Sequence, residues 1–455
     1  GIQSSIQINW IDAPDLDPDT VGERTTDLRR SLGLAVLNQR LGEMARADNP
    51  PFLAAGASHQ QLFDSLDAGT IAVGFNPGEW KRALEAVEQE GRRLAEFGVT
   101  EVELQREITD YRTALQNAVA TAATRSTPAL ANSLLGAVND DRVFNTPQQS
   151  LDIFEAAVKD LTVAQVNAAV APVFEGEGPL VLFSTPVEVE GGEAAVTAAL
   201  EASRQTPVTA RAEQAALEWP YTNFGTAGVP AERTEVADLG LTLVRFPNGV
   251  LLNIKPTDFR DDQILVSART GIGELGLPAD RVSAMSLADT VMGPGGLGKL
   301  SLDELTRVLS GHVYSASAGQ GDDAYVFSGA TRPEDLQLQM QVLTAYLTDP
   351  GLRAAPFEQI KALFPQLLQQ LAATPGGVFQ RDGTGLLASG DRRETAPTVE
   401  EIAAMTIDEL RAGVPAALAQ GPVVITVVGD VDVDAAIAAV ASPFGARPAR
   451  GARSP

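Results

Sequence analysis

Residues 161–185 read LTVAQVNAAVAPVFEGEGPLVLFST, and residues 405–428 read MTIDELRAGVPAALAQGPVVITVV. Each passes from a Thr-x-x-Gln or Thr-x-x-Glu helix start, through an Ala/Val-rich helix, to Gly-Pro and an apolar run of strand length. A second pair lies upstream: DAGTIAVGFNPGEWKRAL at 67–84 and DDAYVFSGATRPEDLQLQM at 322–340. Both give a strand, a glycine, a turn with proline, an acidic helix start and a long helix. The spacing is close to constant, 255 residues from Gly74 to Gly329 and 243 from Pro179 to Pro422. A period this long means two tandem copies of one domain of about 220 residues, because solenoid repeats recur every 20–50 residues.

The first copy occupies 1–205 and the second 236–455, with 206–235 (RQTPVTARAEQ to NFGTAGVPAER at its edges) as the linker. The opening GIQSSIQINW reads as a strand, and its place at the start of the chain suggests a piece cut from a longer precursor. A helix spans about Thr20 to Ala47. TIAVGF is a strand, and Trp80–Phe97 is a helix with Trp80, Leu84, Val87, Leu94 and Phe97 on its apolar face. Thr100 and Glu103 form a capping box that opens another helix, with Ile108, Tyr111, Leu115 and Val119 directed inward. The second copy opens with LTLVRF-PNG-VLLNIKP, two strands joined at Asn248-Gly249, a strong hairpin signal. QILVSART extends that sheet, and VVITVVGD closes it before a helix from Val433. The fold class expected is α+β: two tandem related domains, each a largely antiparallel sheet with helices packed mainly on one face.

A net charge of −25 excludes nucleic acid and anionic membrane as partners, since both require a positive field, and favours basic or neutral ligands. There is no cysteine, so neither disulfides nor thiolate metal sites form, a composition compatible with the periplasm. No apolar run is long enough to span a membrane.

GPGGLGKL, residues 293–300, nearly matches the phosphate-binding loop Gly-x-x-x-x-Gly-Lys-(Ser/Thr), with Gly293, Gly298 and Lys299 in place. Leu300 stands where the magnesium-binding hydroxyl belongs, the preceding segment reads as helix rather than strand, and Ser301 with Glu304 caps a later helix. The segment therefore reads as a flexible helix-to-helix connector. His59 and His312 are the only histidines, one per copy and 253 residues apart. Neither H-x-x-E-H nor H-E-x-x-H is possible, and a shared metal site would require the two to meet across the interdomain surface. His312 begins HVYSASA, read as an alternating strand, and His59 sits in a polar stretch. Asp261-Asp262 and Asp322-Asp323 read as solvated turn charges, and no serine lies in a G-x-S-x-G elbow.

The second copy resembles a domain of the pitrilysin/insulinase family of zinc peptidases, which includes the mitochondrial processing peptidase. The matching runs are RFPNGVLLNIKPTDFRDDQILVSARTGIG, SLADTVMGPG, LSLDELTRVLSGHVYSASAGQGDDAYVFSGA and VVITVVGDVDVDAAIAAVASPFGARP. Placing the family's glycine on Gly295 puts SLADT, 286–290, in the slot of H-x-x-E-H. Ser286 and Thr290 then stand for the zinc histidines and Asp289 for the general-base glutamate, a set unfit for catalytic zinc. The first copy is similar to the family's second domain, in VLNQRLGEMARADNPPFLAAGAS, GVTEVEL and LTVAQVNAAVAPVF. The resemblance implies a non-catalytic portion of a metallopeptidase with no metal of its own. Zinc and the catalytic residues would reside in a missing N-terminal domain, and the substrate would be a peptide or unfolded protein held in a chamber. Its implied partners are the other domains of the precursor or a catalytic subunit, its location periplasmic. The alternatives are a scaffold or peptide-binding subunit of the same fold and a nucleotide-dependent enzyme using Gly293–Lys299.

Overall fold

The computed structural model describes residues 4–62, 65–212, 217–280 and 282–449. Two compact units emerge, one of Gly1–Val119 with Ser126–Ala216, the other of Ala120–Arg125 with Leu217–Pro455.

In the first unit β1 (Ser5–Asp12) leads through α1 (Val21–Ala45) to the hairpin β2 (Ala54–Leu62) and β3 (Leu66–Gly74). There follow α2 (Trp80–Phe97), α3 (Glu101–Ala120), α4 (Thr127–Asn139), α5 (Pro147–Val158) and α6 (Val163–Val170), then β4 (Glu177–Ser184) and α7 (Gly192–Gln205). The sheet runs β2-β3-β1-β4, antiparallel throughout. Alternation sets its faces: Ile6 and Ile8 of β1, with Ile71 and Val73 of β3, are buried in one core with Leu37 and Leu41 of α1 and Leu84 and Val87 of α2. Reciprocal capping boxes start α5 at Thr146/Gln149 and α6 at Thr162/Gln165. On α3 the buried residues are Leu104, Ile108 and Thr113, whereas Tyr111 is exposed. Tyr111 stacks instead on Phe154 of α5, an aromatic pair at the rim that replaces the inward position expected for it.

The second unit begins with β5 (Glu232–Val236), β6 (Leu241–Arg245), β7 (Leu251–Pro256) and β8 (Ile264–Thr270). It continues with α8 (Ala288–Gly295), α9 (Leu302–Val308), the hairpin β9 (Ser317–Gln320) and β10 (Tyr325–Thr331), α10 (Leu336–Thr348) and α11 (Ala354–Ala372). The short α12 (Pro375–Val378) and α13 (Thr384–Leu387), then α14 (Val399–Ala404) and α15 (Ile407–Leu418), lead to β11 (Val424–Gly429) and α16 (Val433–Ala441). Its sheet runs β5-β6-β7-β11-β8-β10-β9, antiparallel except for the pair β7–β11. Asn248 closes the β6–β7 turn and also donates to the carbonyls of Phe444 and Arg447, tying that turn to the segment after α16.

The two units are related. The order β2-β3-β1-β4 recurs as β9-β10-β8-β11, with the same connections: strand, helix, hairpin, helices, strand, helix. The glycine pairing read from the sequence is displaced, however. Gly329 shares the face of the buried Tyr325 and Phe327, whereas Gly74 lies opposite the face of Ile71 and Val73. An odd offset exchanges the faces of a strand, so the structural equivalence differs from 255 by an odd number. Pro179 is likewise inside β4, while Pro422 precedes β11 by two residues. His312 also differs from its reading: it lies before β9, in the loop that follows α9.

The segment read as a linker is anchored at both ends. Arg92 donates to the Thr206 carbonyl and Arg211 pairs with Glu43 in the first unit. In the second, Trp219 donates to Gln341, Tyr221 to Asp349, and residues 232–236 are already strand β5.

Candidate functional site

Residues 286–290, read from the resemblance as filling the motif slot, stand where a single 3-10 turn, Ala284–Leu287, runs into α8. Leu287, Ala288, Val291 and Met292 take the buried side, which leaves Ser286 and Thr290, four positions apart, on the exposed side. Ser286 Oγ donates to the Ser283 carbonyl at 2.9 Å, and Asp289 Oδ1 accepts from the Thr290 N–H at 2.7 Å and from its hydroxyl at 3.2 Å. Both polar groups are thus engaged with their own turn. Two hydroxyls and a carboxylate turned to its neighbour Thr290, with no imidazole beside them, do not fit catalytic zinc, which needs about three strong nitrogen, sulfur or carboxylate ligands.

Ser286 and Thr290 line a cleft of about 420 Å³ whose opposite wall is Phe364, Leu368 and Leu371 of α11 and whose rim carries Glu274 and Arg393. The cleft is half apolar in character, suited to an apolar side chain of a ligand rather than to a phosphate. Burial, and then the nearby Glu394, Asp322 and Asp289, push the Glu274 carboxyl above the ordinary glutamate range.

The glycine-rich segment 293–300 does not form a phosphate cradle, and it is not a loose connector either. Gly293 and Gly295 are the last turn of α8; Gly296 then reverses the chain at φ +68. Leu297 and Leu300 are buried and exchange backbone hydrogen bonds of 2.8 and 3.2 Å. The Gly298 N–H donates to the Asp349 carbonyl at 2.7 Å, and the Lys299 N–H to Tyr221 Oη at 2.9 Å. A Cβ at Gly295 would overlap the Gly351 carbonyl, so this glycine permits close packing rather than flexibility.

In the first unit, about 450 Å³ of cleft is lined by carboxylates, among them Asp15, Asp17, Glu23, Asp67 and Asp140, with His59 at one side. Asp19 is held down to about 2 by its hydrogen bonds from Arg24, while burial and then Asp15 and Asp27 push Glu23 up. His59 is pushed down by burial and by Arg30, against the pull of Asp67. His312, half-exposed, meets the buried Asp335 at 2.6 Å through Nδ1, and Arg332 holds the other oxygen of that carboxylate at 2.7 Å. Each histidine therefore sits beside charged groups of its own unit.

No family model matches this sequence. It is 21% identical over 453 residues to the chloroplastic stromal processing peptidase of Arabidopsis thaliana, covering 90% of this chain and 36% of that protein. The Pisum sativum enzyme of the same name is 20% identical over 449 residues, covering 89% and 35%. Among solved structures, the ferredoxin protease FusC, determined in complex with Arabidopsis ferredoxin, superposes with a TM-score of 0.61 at 16% identity, over 99% of this chain and 50% of that one. Pitrilysin gives 0.55 at 13%, over 96% and 46%. The chain thus has the fold read from its resemblance, and spans about a third of the curated relatives and about half of those solved chains.

Proposed function

We propose that this chain, built on the pitrilysin fold, is the non-catalytic portion of a zinc metallopeptidase. It helps to enclose and bind a peptide or unfolded protein, while zinc and the catalytic residues come from another domain of the precursor or from a partner subunit. One observation carries this reading: the chain matches peptidase structures along nearly its whole length, yet SLADT, the run that the resemblance aligns with the zinc motif, has side chains bonded to their own turn. The half-apolar cleft beside Ser286 and Thr290 and the acidic cleft of the first unit supply surfaces for side chains of an extended peptide. The proposal places the protein in the periplasm, with which its lack of cysteine agrees. No helix among the described residues is long and apolar enough to cross a membrane.

The test combines metal analysis after dialysis with a peptide-cleavage assay, first on this chain alone and then with a domain carrying H-x-x-E-H added. Alone, the chain is expected to retain no stoichiometric zinc and to cleave nothing; with the added domain, cleavage rises. One zinc per chain with chelator-sensitive cleavage overturns the proposal. Peptide binding without any gain of cleavage assigns the chain to a scaffold or peptide-binding subunit instead.

A further inference from the structure

Each sheet has two edges among the described residues, and three of the four are guarded against further pairing. β5, ERTEV, exposes Glu232, Arg233 and Glu235; β2 ends in the polar run SHQQ; β9 is only four residues long. Charge, polarity and shortness are how folded chains keep an open strand from pairing. β4 has none of these. Its centre reads LVLF, residues 180–183, and among the described residues it pairs with β1 alone, so its other side offers unpaired backbone groups. Leu180 and Leu182, opposite Asn9 and Gln7, point away from the core and are 51% and 61% exposed. Val181 and Phe183, opposite the fully buried Ile8 and Ile6, point into the core yet are only partly covered.

The second unit shows what belongs on that side. There β11 takes the place of β4, and its far side is filled by β7, which runs parallel to it with Val424 beside Leu251 and Gly429 beside Pro256. Leu252 and Ile254 of β7 stand beside Ile425 and Val427, and all four are fully buried. In the first unit nothing corresponds to β7 among the described residues, and the sheet stops at β4. The half-covered Val181 and Phe183 show the same deficit from the side of the core, since Ile425 and Val427 are their counterparts on β11. One further strand would pair the free backbone groups and bury apolar side chains on both faces.

We propose that the open edge of β4 is an interaction surface that receives one extended strand, parallel to β4 and apolar at alternate positions, from the polypeptide that carries the catalytic residues. In this mode main-chain hydrogen bonds supply the attachment, and the alternate side chains that meet Val181 and Phe183 supply the selectivity. The parallel direction follows from β7 on β11. A second copy of this chain fits less well, because each copy brings a net charge of −25. The choice of the catalytic polypeptide as donor rests on the function proposed above; the open edge does not. In the solved relatives about half of the chain lies outside the matched region and could supply such a strand.

The probe is a synthetic peptide of residues 249–258, GVLLNIKPTD, which is β7 with its flanks, added to the 455-residue chain and followed by hydrogen exchange with mass spectrometry. At saturation the amides of 180–184 should exchange more slowly by about threefold or more, with no change in β2, the other edge of that sheet. N-methylation of alternate peptide residues should abolish the effect. Leu180→Lys with Leu182→Lys, at exposed positions that leave the circular dichroism unchanged, should weaken binding about tenfold. No slowing at about 5 mM peptide, slowing at β2 instead, an equal effect from a scrambled peptide, or indifference to N-methylation or to the lysines overturns the proposal. Self-association that the double lysine variant abolishes also overturns it, by giving the edge to a second copy. Repeating the measurement with a domain carrying H-x-x-E-H separates the two readings. Cleavage without slowed exchange at 180–184 overturns this inference alone, whereas slowed exchange without cleavage upholds it and counts against the proposed function.

Discussion

Arg40 lies on α1 with its side chain 2% exposed, and its guanidinium forks onto Glu103 at 2.8 and 2.7 Å while also donating to the Gly98 carbonyl. Glu90, equally buried, is 3.7 Å away on the other side. Removing the cation strips the Glu103 carboxylate of its guanidinium, while Glu90 keeps Arg93. Arg40→Leu is therefore expected to destabilise that unit by about 3–5 kcal/mol, the usual loss when one partner of a buried pair is deleted. Urea unfolding followed by Trp10 and Trp80, the tryptophans of that unit, would report it; a loss under about 1 kcal/mol would show that water reaches the pair. The same residues fix a pH dependence. Burial alone would raise Glu103, but hydrogen bonds from Arg40 and Thr100 outweigh it and hold the carboxyl below its ordinary value. A lowered folded-state value contributes stability that is complete above the unfolded glutamate value of about 4.3 and is lost as pH falls through the folded one. The unfolding midpoint should thus drop as pH falls below about 4.3, and less so in Arg40→Leu.

Helix starts were readable because their signals are local. Ser301 with Glu304 and Thr162 with Gln165 close the reciprocal caps that their spacing announced. Strand equivalence was not readable to the residue, because a glycine or proline marks a turn without fixing which face its neighbours take; Gly74 and Gly329 fall on opposite faces for that reason. The segment 293–300 shows the same limit. Its glycines read as looseness, yet close approach to Gly351 and Asp349 is what requires Gly295 and Gly298. Gly295→Ala is accordingly expected to destabilise the second unit by about 1–3 kcal/mol through overpacking. Gly293→Ala, with nothing within 4 Å of its added Cβ, should be neutral or slightly stabilising. Trp219 fluorescence during urea unfolding measures both, and equal effects would mean the connector tolerates side chains throughout. No tight ATP binding that Lys299→Ala abolishes is expected in calorimetry, since the Lys299 side chain lies over the Tyr221 ring rather than at a phosphate cradle.

Across the whole chain the duplication was legible because each unit repeats an order of elements, and order survives where register drifts. The carboxylate cluster of Glu274, Asp322 and Glu394 was not: its members come together only through the β9–β10 hairpin and the turns packed against it, so no short spacing announces them. Net charge, by contrast, is a property of the sequence that the fold concentrates. Of the −25 total, several carboxylates converge on the cleft of the first unit, where Glu23 is already pushed up by burial and by Asp15 and Asp27. A field of one sign over a cleft draws ligands of the opposite sign and weakens with salt. If the chain binds extended peptides as proposed, an unfolded peptide rich in lysine and arginine should bind more tightly than its glutamate-rich counterpart of equal length. Fluorescence anisotropy should show that preference shrinking by about tenfold as ionic strength rises from about 0.02 to 0.5 M, where screening reaches a few ångströms. Asp15→Asn with Asp67→Asn, which removes two charges from the cleft without touching the Arg24–Asp19 pair, should reduce the preference at low salt. Equal binding of both peptides, unchanged by salt or by that double substitution, would mean that the acidic cleft plays no part in holding substrate.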